Sequence, residues 1–323
     1  MTIRVPRRST IALATAGALA STGTAYLGAR NLLVGQAAQT RTVIPKSWEI
    51  PPRADGVYAP GGGPVERWQR GTPADLHMMI FGDSTATGYG CMSAEEVPGV
   101  LIARGLAERT GKRIRLSTKA IVGATSKGVS GQVDAMFVAG PPPDAAVMML
   151  GANDVTALNG ISQSAHRLAM TVRKLRARGA VVIVGTCPDL GVISVIPQPL
   201  RSLAHARTSQ LARAQAASVR AAGGAPVPLA HLLAPKFRAV PEAMFSADGF
   251  HPSPAAYALA ADALLAALCA ALAEKAESEM VESPVRDVPP PAGTPVLEQG
   301  NTRLNVMSRL WRRPAPGLAA PSS

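Results

Sequence analysis

The sequence predicts an α/β fold, a parallel sheet with helices on both faces. Three observations predict it. From residue 76 onward, short apolar runs alternate with longer stretches of helical character. The links between them are short. The runs are apolar at consecutive positions, as a strand covered on both faces requires, rather than at every second one. Strand–helix alternation with short links sets the strands parallel and distributes the helices over both faces.

The apolar runs suited to buried strands are Leu76–Phe81, Ile114–Leu116 with its continuation, Ala145–Leu150, Ala180–Gly185 and Pro226–Leu229. Between them lie helical stretches at roughly Ala94–Thr110, Thr125–Val138, Ser162–Arg178 and Pro199–Ala222. A last helix runs from Pro254 to about Glu277 and is nearly solid Ala and Leu on one side. No internal repeat is visible. Residues 38–74 carry many Pro, Gly and Arg and read as an extended linker. After Met280 the chain turns Pro-rich and is expected to be a disordered tail. Within that tail, Leu304–Arg313 has the pattern of a short basic amphipathic helix. The expected organisation is an N-terminal segment over 1–37, read below as a signal peptide or membrane anchor, the linker over 38–74, one α/β domain over 75–280, and the tail over 281–323.

The N-terminus has the pattern of an export signal. Arg4, Arg7 and Arg8 precede a stretch from Ser9 to Ala29 without charge, rich in Ala, Gly and Thr. Small-x-small sites lie near Ala25 and Ala37. The uncharged stretch is also about the ~20 residues a bilayer span needs. Cleaved signal and retained membrane anchor both place the domain outside the cytoplasm, secreted or held in the cell envelope. The net charge of +12 invites a nucleic-acid reading. Its distribution argues against one: residues 1–53 hold seven basic residues against one acid, and the domain is far closer to balance. No basic run interleaved with aromatics appears there, so no nucleic-acid partner is expected. Cys91, Cys187 and Cys269 lack metal-ligand spacing, so no structural zinc site is expected, and they read as buried free thiols.

In a parallel sheet, chemistry gathers beyond the carboxyl ends of the strands. Four short motifs fall there. Gly82-Asp83-Ser84 leaves the first strand, Gly123-Ala124-Thr125 follows the second, and Gly151-Ala152-Asn153-Asp154 follows the third. Asp248-Gly249-Phe250-His251-Pro252 precedes the final helix. A serine at a strand-to-helix turn needs a base to take its proton. Of the five histidines, His77 lies within the first strand, His166 and His205 sit in basic helices, and His231 opens a helical stretch. Only His251 occupies a Gly- and Pro-flanked loop with a carboxylate three residues before it. Asp248 at that spacing can fix the imidazole tautomer and stabilise the imidazolium. The Asn153 amide and the Gly123 N–H are candidate oxyanion donors together with the Ser84 N–H.

Each motif alone is an ordinary turn or loop. Their order and their shared rim are what point to a site. Other readings fit less well. The G-x-S-x-G elbow is absent because Ala86 takes the place of its last glycine. Gly88-Tyr89-Gly90 lacks the third glycine of a dinucleotide fingerprint.

These motifs resemble the SGNH hydrolase superfamily, the GDSL esterases and lipases. Ser84, Gly123, Asn153 and His251, with Asp248 before it, match its signature residues over about Leu76 to Glu277. Thr85 stands where the family name places Leu. The wording GDSTATGYG, the Arg-over-Lys bias and the export pattern resemble exported actinobacterial, especially mycobacterial, members. The resemblance implies a single-domain three-layer α/β/α sandwich with a five-stranded parallel sheet. It also implies metal-free ester hydrolysis through an acyl-serine, with Ser84, Asp248 and His251 catalytic and Ser84, Gly123 and Asn153 forming the oxyanion hole.

The substrate expected is a small-molecule or lipid ester, with a short-chain acyl group favoured. A carbohydrate O-acyl esterase or acyltransferase of the envelope is the alternative within enzymes. A non-catalytic envelope binding protein on the same fold is the alternative outside them. Tyr89 and Phe250 are candidate platforms beside the site. The apolar segment Gly191–Pro199 reads either as an acyl-pocket wall or lid, or as packing onto its own domain.

Overall fold

The sheet has six strands in the order β1-β3-β2-β4-β5-β6. In chain order these are β1 Gly56–Tyr58, β2 Leu76–Gly82, β3 Ile114–Thr118, β4 Ala145–Met149, β5 Val181–Gly185 and β6 Ala225–Val227. The computed structural model describes residues 27–40, 42, 50–52 and 54–282. The export pattern before residue 27 and the tail from 283, with Leu304–Arg313, lie outside the described residues.

The helices are α1 (27–40), α2 Ser84–Thr87, α3 Pro98–Thr110, α4 Ser126–Ala139, α5 Ala152–Thr156, α6 Ile161–Arg176, α7 Leu200–Ala221, α8 Leu229–Ala239, α9 Pro241–Met244 and α10 Pro254–Glu282. The chain divides into two compact units after Lys275. The first holds the sheet and everything described below. Of the second, only the last turns of α10 are described.

Consecutive apolar residues in the strands reflect burial on both faces. In β2, Met78 and Ile80 point into one core with Ile102 and Leu106 of α3 and Leu264 and Leu268 of α10. Met79 and Phe81 point into the other, with Val133 of α4, Leu168 and Val172 of α6 and Val219 of α7. Burying one such side chain contributes about 1.5–3 kcal/mol before the entropy cost of ordering it. By length and composition α10 is apolar enough to cross a bilayer. Its residues Tyr257, Leu264 and Leu268 are fully buried against the sheet.

β2 through β6 are parallel, and β1 runs antiparallel to β3 at the edge. The sheet is therefore mixed and six-stranded, not five-stranded and parallel. The extra strand comes from the segment read as linker. Val57 and Tyr58 are buried, the Tyr58 hydroxyl donates to the Ala54 carbonyl, and Gly56 leaves room for Val65 and Glu66. Three residues among Pro and Gly are too few to show a period.

β2 lies between β3 and β4. The chain leaves β2 to one side, returns from β3, and crosses to the other side. Crossovers of one hand in opposite directions put α3 and α4 on opposite faces and open a crevice at the carboxyl end of β2.

Candidate active site

β2 ends at Gly82, where no other residue fits. Its φ is 142°, and a Cβ would stand 2.0 Å from the Met149 carbonyl oxygen of β4. Gln132 of α4 clamps this peptide. Its Oε1 accepts from the Gly82 N–H at 3.0 Å, and its Nε2 donates to the Gly82 carbonyl at 2.8 Å. Asp83 then caps α2, with Oδ1 accepting from the Thr85 N–H at 3.0 Å. Ser84 is the first residue of that single-turn helix and is partly exposed. At this position its N–H has no intrahelical acceptor. Gly88, at φ 73°, ends the turn.

The other two oxyanion candidates adjoin this turn. The Ile121 N–H donates to the Gly82 carbonyl at 3.1 Å, and Ala124 closes a turn back to Ile121. Gly123 sits in that turn at φ 81°, exposed, with open space where a Cβ would be. Asn153 lies on α5, and its Nδ2 donates to Asp83 Oδ2 and to the Ala124 carbonyl, each at 3.2 Å. One side chain thus spans the loops after β2, β3 and β4.

Asp248 and His251 form a closed loop before α10. Asp248 Oδ2 and His251 Nδ1 are 2.6 Å apart, and Oδ1 accepts from the Phe250 and His251 amides at 2.9 Å each. The two side chains are 15% and 12% exposed. The loop is pinned by the Ser246 N–H to the His251 carbonyl at 2.8 Å and by the Ser253 N–H to the Met244 carbonyl at 2.9 Å. It packs against the turn that follows Ser84. The Tyr89 ring lies 4.2 Å from the His251 ring, centroid to centroid, and a Cβ on Gly90 would touch Ser246. The Tyr257 hydroxyl donates to the Tyr89 carbonyl at 2.8 Å and fixes that turn to α10.

The two carboxylates of the site are tuned in opposite directions. Burial pushes Asp83 up to about 6, against the hydrogen bonds from Thr85 and Asn153 and the nearby charge of His251. Burial also acts to raise Asp248. The bonds from the His251 ring and from the Phe250 and His251 amides outweigh it and hold the carboxyl well below the usual carboxylate range.

Several side chains here were not readable from the sequence. Asp154, beside Asn153, is buried and accepts from the Ser126 N–H and Oγ at 2.8 Å, Ser164 Oγ at 2.8 Å and Asn159 Nδ2 at 3.0 Å. It joins α4, α5 and α6. The letter is visible in the motif, but its partners are far away in the chain. Gln132 gave no signal. Tyr89, a candidate substrate platform, is 5% exposed and packs against the His251 ring instead, tilted by 48°. Phe250 meets His251 edge-on and packs with Phe245 and Val195. Segment 191–199 packs onto its own domain: Ile193 and Ile196 are buried with Leu190 and Leu211.

The remaining histidines are elsewhere. His77 bonds Ser117 Oγ through Nε2, and burial, with Arg115 beside it, lowers its pKa to about 4. His205 lies on the basic helix α7. It is half exposed but paired with Asp189 at 2.8 Å. His166 and His231 are exposed. Cys91, Cys187 and Cys269 are free thiols, the first two buried. No group of three or more His, Cys, Asp or Glu among the described residues is placed to hold a metal.

A profile of the GDSL-like lipase/acylhydrolase family matches residues 80–259, which span every motif above. The chain belongs to that family. It is 74% identical over 318 residues to the GDSL-like esterase Rv1075c of Mycobacterium tuberculosis, covering 98% of this chain and 99% of the relative. Ester hydrolysis is therefore the activity of this GDSL-like protein. Among solved structures it is similar to TesA, at 24% identity and TM-score 0.47, over 62% of this chain and 99% of TesA. It is also similar to Axe2, an acetylxylan esterase from Geobacillus stearothermophilus, at 18% identity and TM-score 0.47, over 60% of this chain and 94% of that one.

Proposed function

We propose that the protein hydrolyses carboxylic esters with short acyl groups through an acyl intermediate on Ser84. The observation that carries this reading is the Asp248–His251 pair. It is bonded at 2.6 Å, largely shielded, and packed through Tyr89 against the turn that begins at Ser84.

The steps follow from these groups. His251 Nδ1–H is held by Asp248, which leaves Nε2 as the basic nitrogen. Nε2 takes the Ser84 hydroxyl proton as Oγ attacks the ester carbonyl. The carbonyl π electrons move onto oxygen, and the Ser84 and Gly123 N–H groups and the Asn153 amide stabilise that oxyanion. The intermediate collapses, the C–O bond to the alcohol breaks, and His251 returns its proton to the leaving alkoxide. Water repeats the sequence: His251 takes its proton, the acyl–Oγ bond breaks, and Ser84 recovers its hydrogen. Asp248 stays ionised throughout, as its depressed pKa favours.

Asn153 donates to two protein acceptors at 3.2 Å before substrate arrives. A developing oxyanion is a stronger acceptor than the Ala124 carbonyl and makes shorter bonds. Exchange of that partner makes the interaction larger in the transition state than in the ground state, which is what accelerates a reaction.

Two features support a short acyl group. The branched residues of segment 190–196 turn into the domain rather than lining an open trough. The residues exposed on the rim, Ile121, Val122 and Leu158, are separate side chains rather than a long apolar channel. The substrate partner is then a small-molecule or lipid ester. The export pattern before residue 30 supports a site of action outside the cytoplasm, and membrane association would come through that segment. A reporter active only after export, fused to residues 1–45, checks this; an intact but silent fusion contradicts it.

The enzymatic reading is tested with p-nitrophenyl esters of graded chain length, with and without a serine-reactive phosphonate. Turnover should be greatest for short chains and abolished by the phosphonate. Turnover that persists after phosphonate treatment contradicts an acyl-Ser84 route.

A further inference from the structure

A polar cavity lies beyond the carboxyl end of β5, beside the buried Asp189. Its volume is about 180 Å³, and its walls are Gly191, Gln198, Arg201, Ser202, His205 and Arg238. Pockets for whole small molecules usually measure roughly 300–1,000 Å³, so this one suits a small group, free or at the head of a larger molecule. Two permanent cations and an imidazole face it, and one carboxylate lies behind them.

That carboxylate is already engaged through both oxygens. Asp189, its side chain 5% exposed, accepts from the Gly191 N–H and His205 Nδ1 through Oδ1 and from Arg238 Nη2 through Oδ2, each at 2.8 Å. It orders His205 and Arg238 at the cavity wall and keeps one acceptor site, on Oδ2. The Arg238 guanidinium keeps donors in reserve, since a guanidinium carries five. With Nδ1–H on Asp189, His205 keeps Nε2 for a ligand, where it accepts from a ligand hydroxyl when neutral and donates to an oxygen when protonated. Arg201 has no side-chain partner among the described residues, although it stands at the cavity wall on the first turn of α7.

We propose that this cavity binds a phosphate-type oxyanion. The charges favour an anion: Arg201 and Arg238 exceed Asp189 by one unit before His205 is counted. The geometry selects among anions. A planar carboxylate matches one guanidinium fork, whereas a tetrahedral oxyanion offers oxygens to two forks at once and, when it carries a hydroxyl, a donor to the imidazole. The inference does not rest on the esterase reading, because none of these residues takes part in it.

The same chemistry has two sources, a soluble phosphate or a phospholipid headgroup. The neighbourhood makes the second worth testing. Gln36 of α1 donates to the Gln198 carbonyl at 2.5 Å and accepts from the Leu200 N–H at 3.2 Å, so α1 docks at the cavity edge. Leu27, Leu32 and Val34 of α1 are all more than half exposed.

The test uses the full chain with ¹³C-labelled histidine, the His205 signal being identified by its loss in His205→Gln. Inorganic phosphate, titrated against chloride at equal ionic strength, should shift that signal saturably. Arg201→Gln should weaken the response at least tenfold; Arg201 holds no partner, so its loss orphans no buried group. In the second arm, phosphatidylcholine vesicles with and without phosphatidylglycerol are sedimented with both proteins. Preferential, Arg201-dependent binding to the anionic vesicles assigns a lipid headgroup. Arg201-dependent binding of inorganic phosphate without a vesicle effect assigns a soluble phosphate. If neither arm depends on Arg201, any phosphate seen there is an adventitious ion only, and the proposal is overturned.

Discussion

Replacing Asn153 by Ala should damage turnover and stability by separable amounts. Asn153 gives up two hydrogen bonds, one to the buried Asp83 carboxylate and one to the Ala124 carbonyl. A bond to a charged group is worth about 1.5–3 kcal/mol and a neutral one about 0.5–1.5 kcal/mol, so roughly 2–4.5 kcal/mol of stability is at stake. At about 2–4 °C per kcal/mol for a domain of this size, Tm should fall by roughly 4–18 °C. Loss of one oxyanion donor costs a further factor of about 10²–10³ in kcat per folded molecule, with KM changed only a few-fold. The pH dependence adds a signature. Asp83 has a folded pKa raised to about 6, so its ionisation subtracts stability. The penalty is absent below the ordinary carboxylate range near pH 4, grows as pH rises, and is complete above about 6. Without Asn153 the anion loses a donor and the penalty deepens, so the Tm deficit of the variant should be larger at pH 7.5 than at pH 4.5. Thermal unfolding at both pH values, with kcat measured on the same preparation at pH 7.5, checks all three numbers. A destabilised variant with near-normal turnover per folded molecule would refute the oxyanion role and leave Asn153 as a brace.

Three further outcomes are expected. Asp248→Asn should lower kcat by about 10²–10⁴, because the amide can hold the wrong imidazole tautomer. Asp248 also has a depressed folded pKa, so its stabilisation is present above the ordinary carboxylate range and lost as pH falls toward the folded value; the Tm gap between wild type and variant should narrow on acidification below about pH 4. Tyr89→Leu should cut kcat by roughly 3–10-fold with KM nearly unchanged, the loss of an aromatic contact worth about 0.5–1.5 kcal/mol beneath His251; unchanged kcat would remove Tyr89 from its positioning role. Gly82→Ala should destabilise by more than about 3 kcal/mol, since the Cβ meets backbone oxygen and an unfavourable φ together; a soluble variant with wild-type Tm would contradict the packing described for β2.

The parts of the fold legible in the sequence were those with a strong local pattern. The five parallel strands lie at or within a residue or two of the apolar runs, and the central β4 and β5, covered on both faces, are apolar throughout. β1 escaped notice because three residues show no period, and only tertiary burial of Val57 and Tyr58 makes them a strand. In the site, chain order and rim placement singled out Ser84, Gly123, Asn153, Asp248 and His251, and the structure sets them in loops that touch one another. Only Asp248 and His251 are close enough in the chain for spacing to foretell their bond. The contacts of Gln132 with Gly82, of Asp154 with Ser126 and Ser164, and of Tyr89 with His251 span from 10 to 162 residues, so no local pattern encodes them. His205 shows the same limit: its pairing with Asp189 crosses a loop and 16 residues.

The central claim is that the acyl group is carried by Ser84. The most direct measurement is to inactivate the protein with a phosphonate ester, digest it, and locate the adduct by mass spectrometry. The account predicts one adduct per chain, on the peptide containing Ser84, with labelling abolished in Ser84→Ala and turnover lower by on the order of 10⁶. An adduct on any other residue, or a Ser84→Ala protein that still turns over and labels, contradicts it.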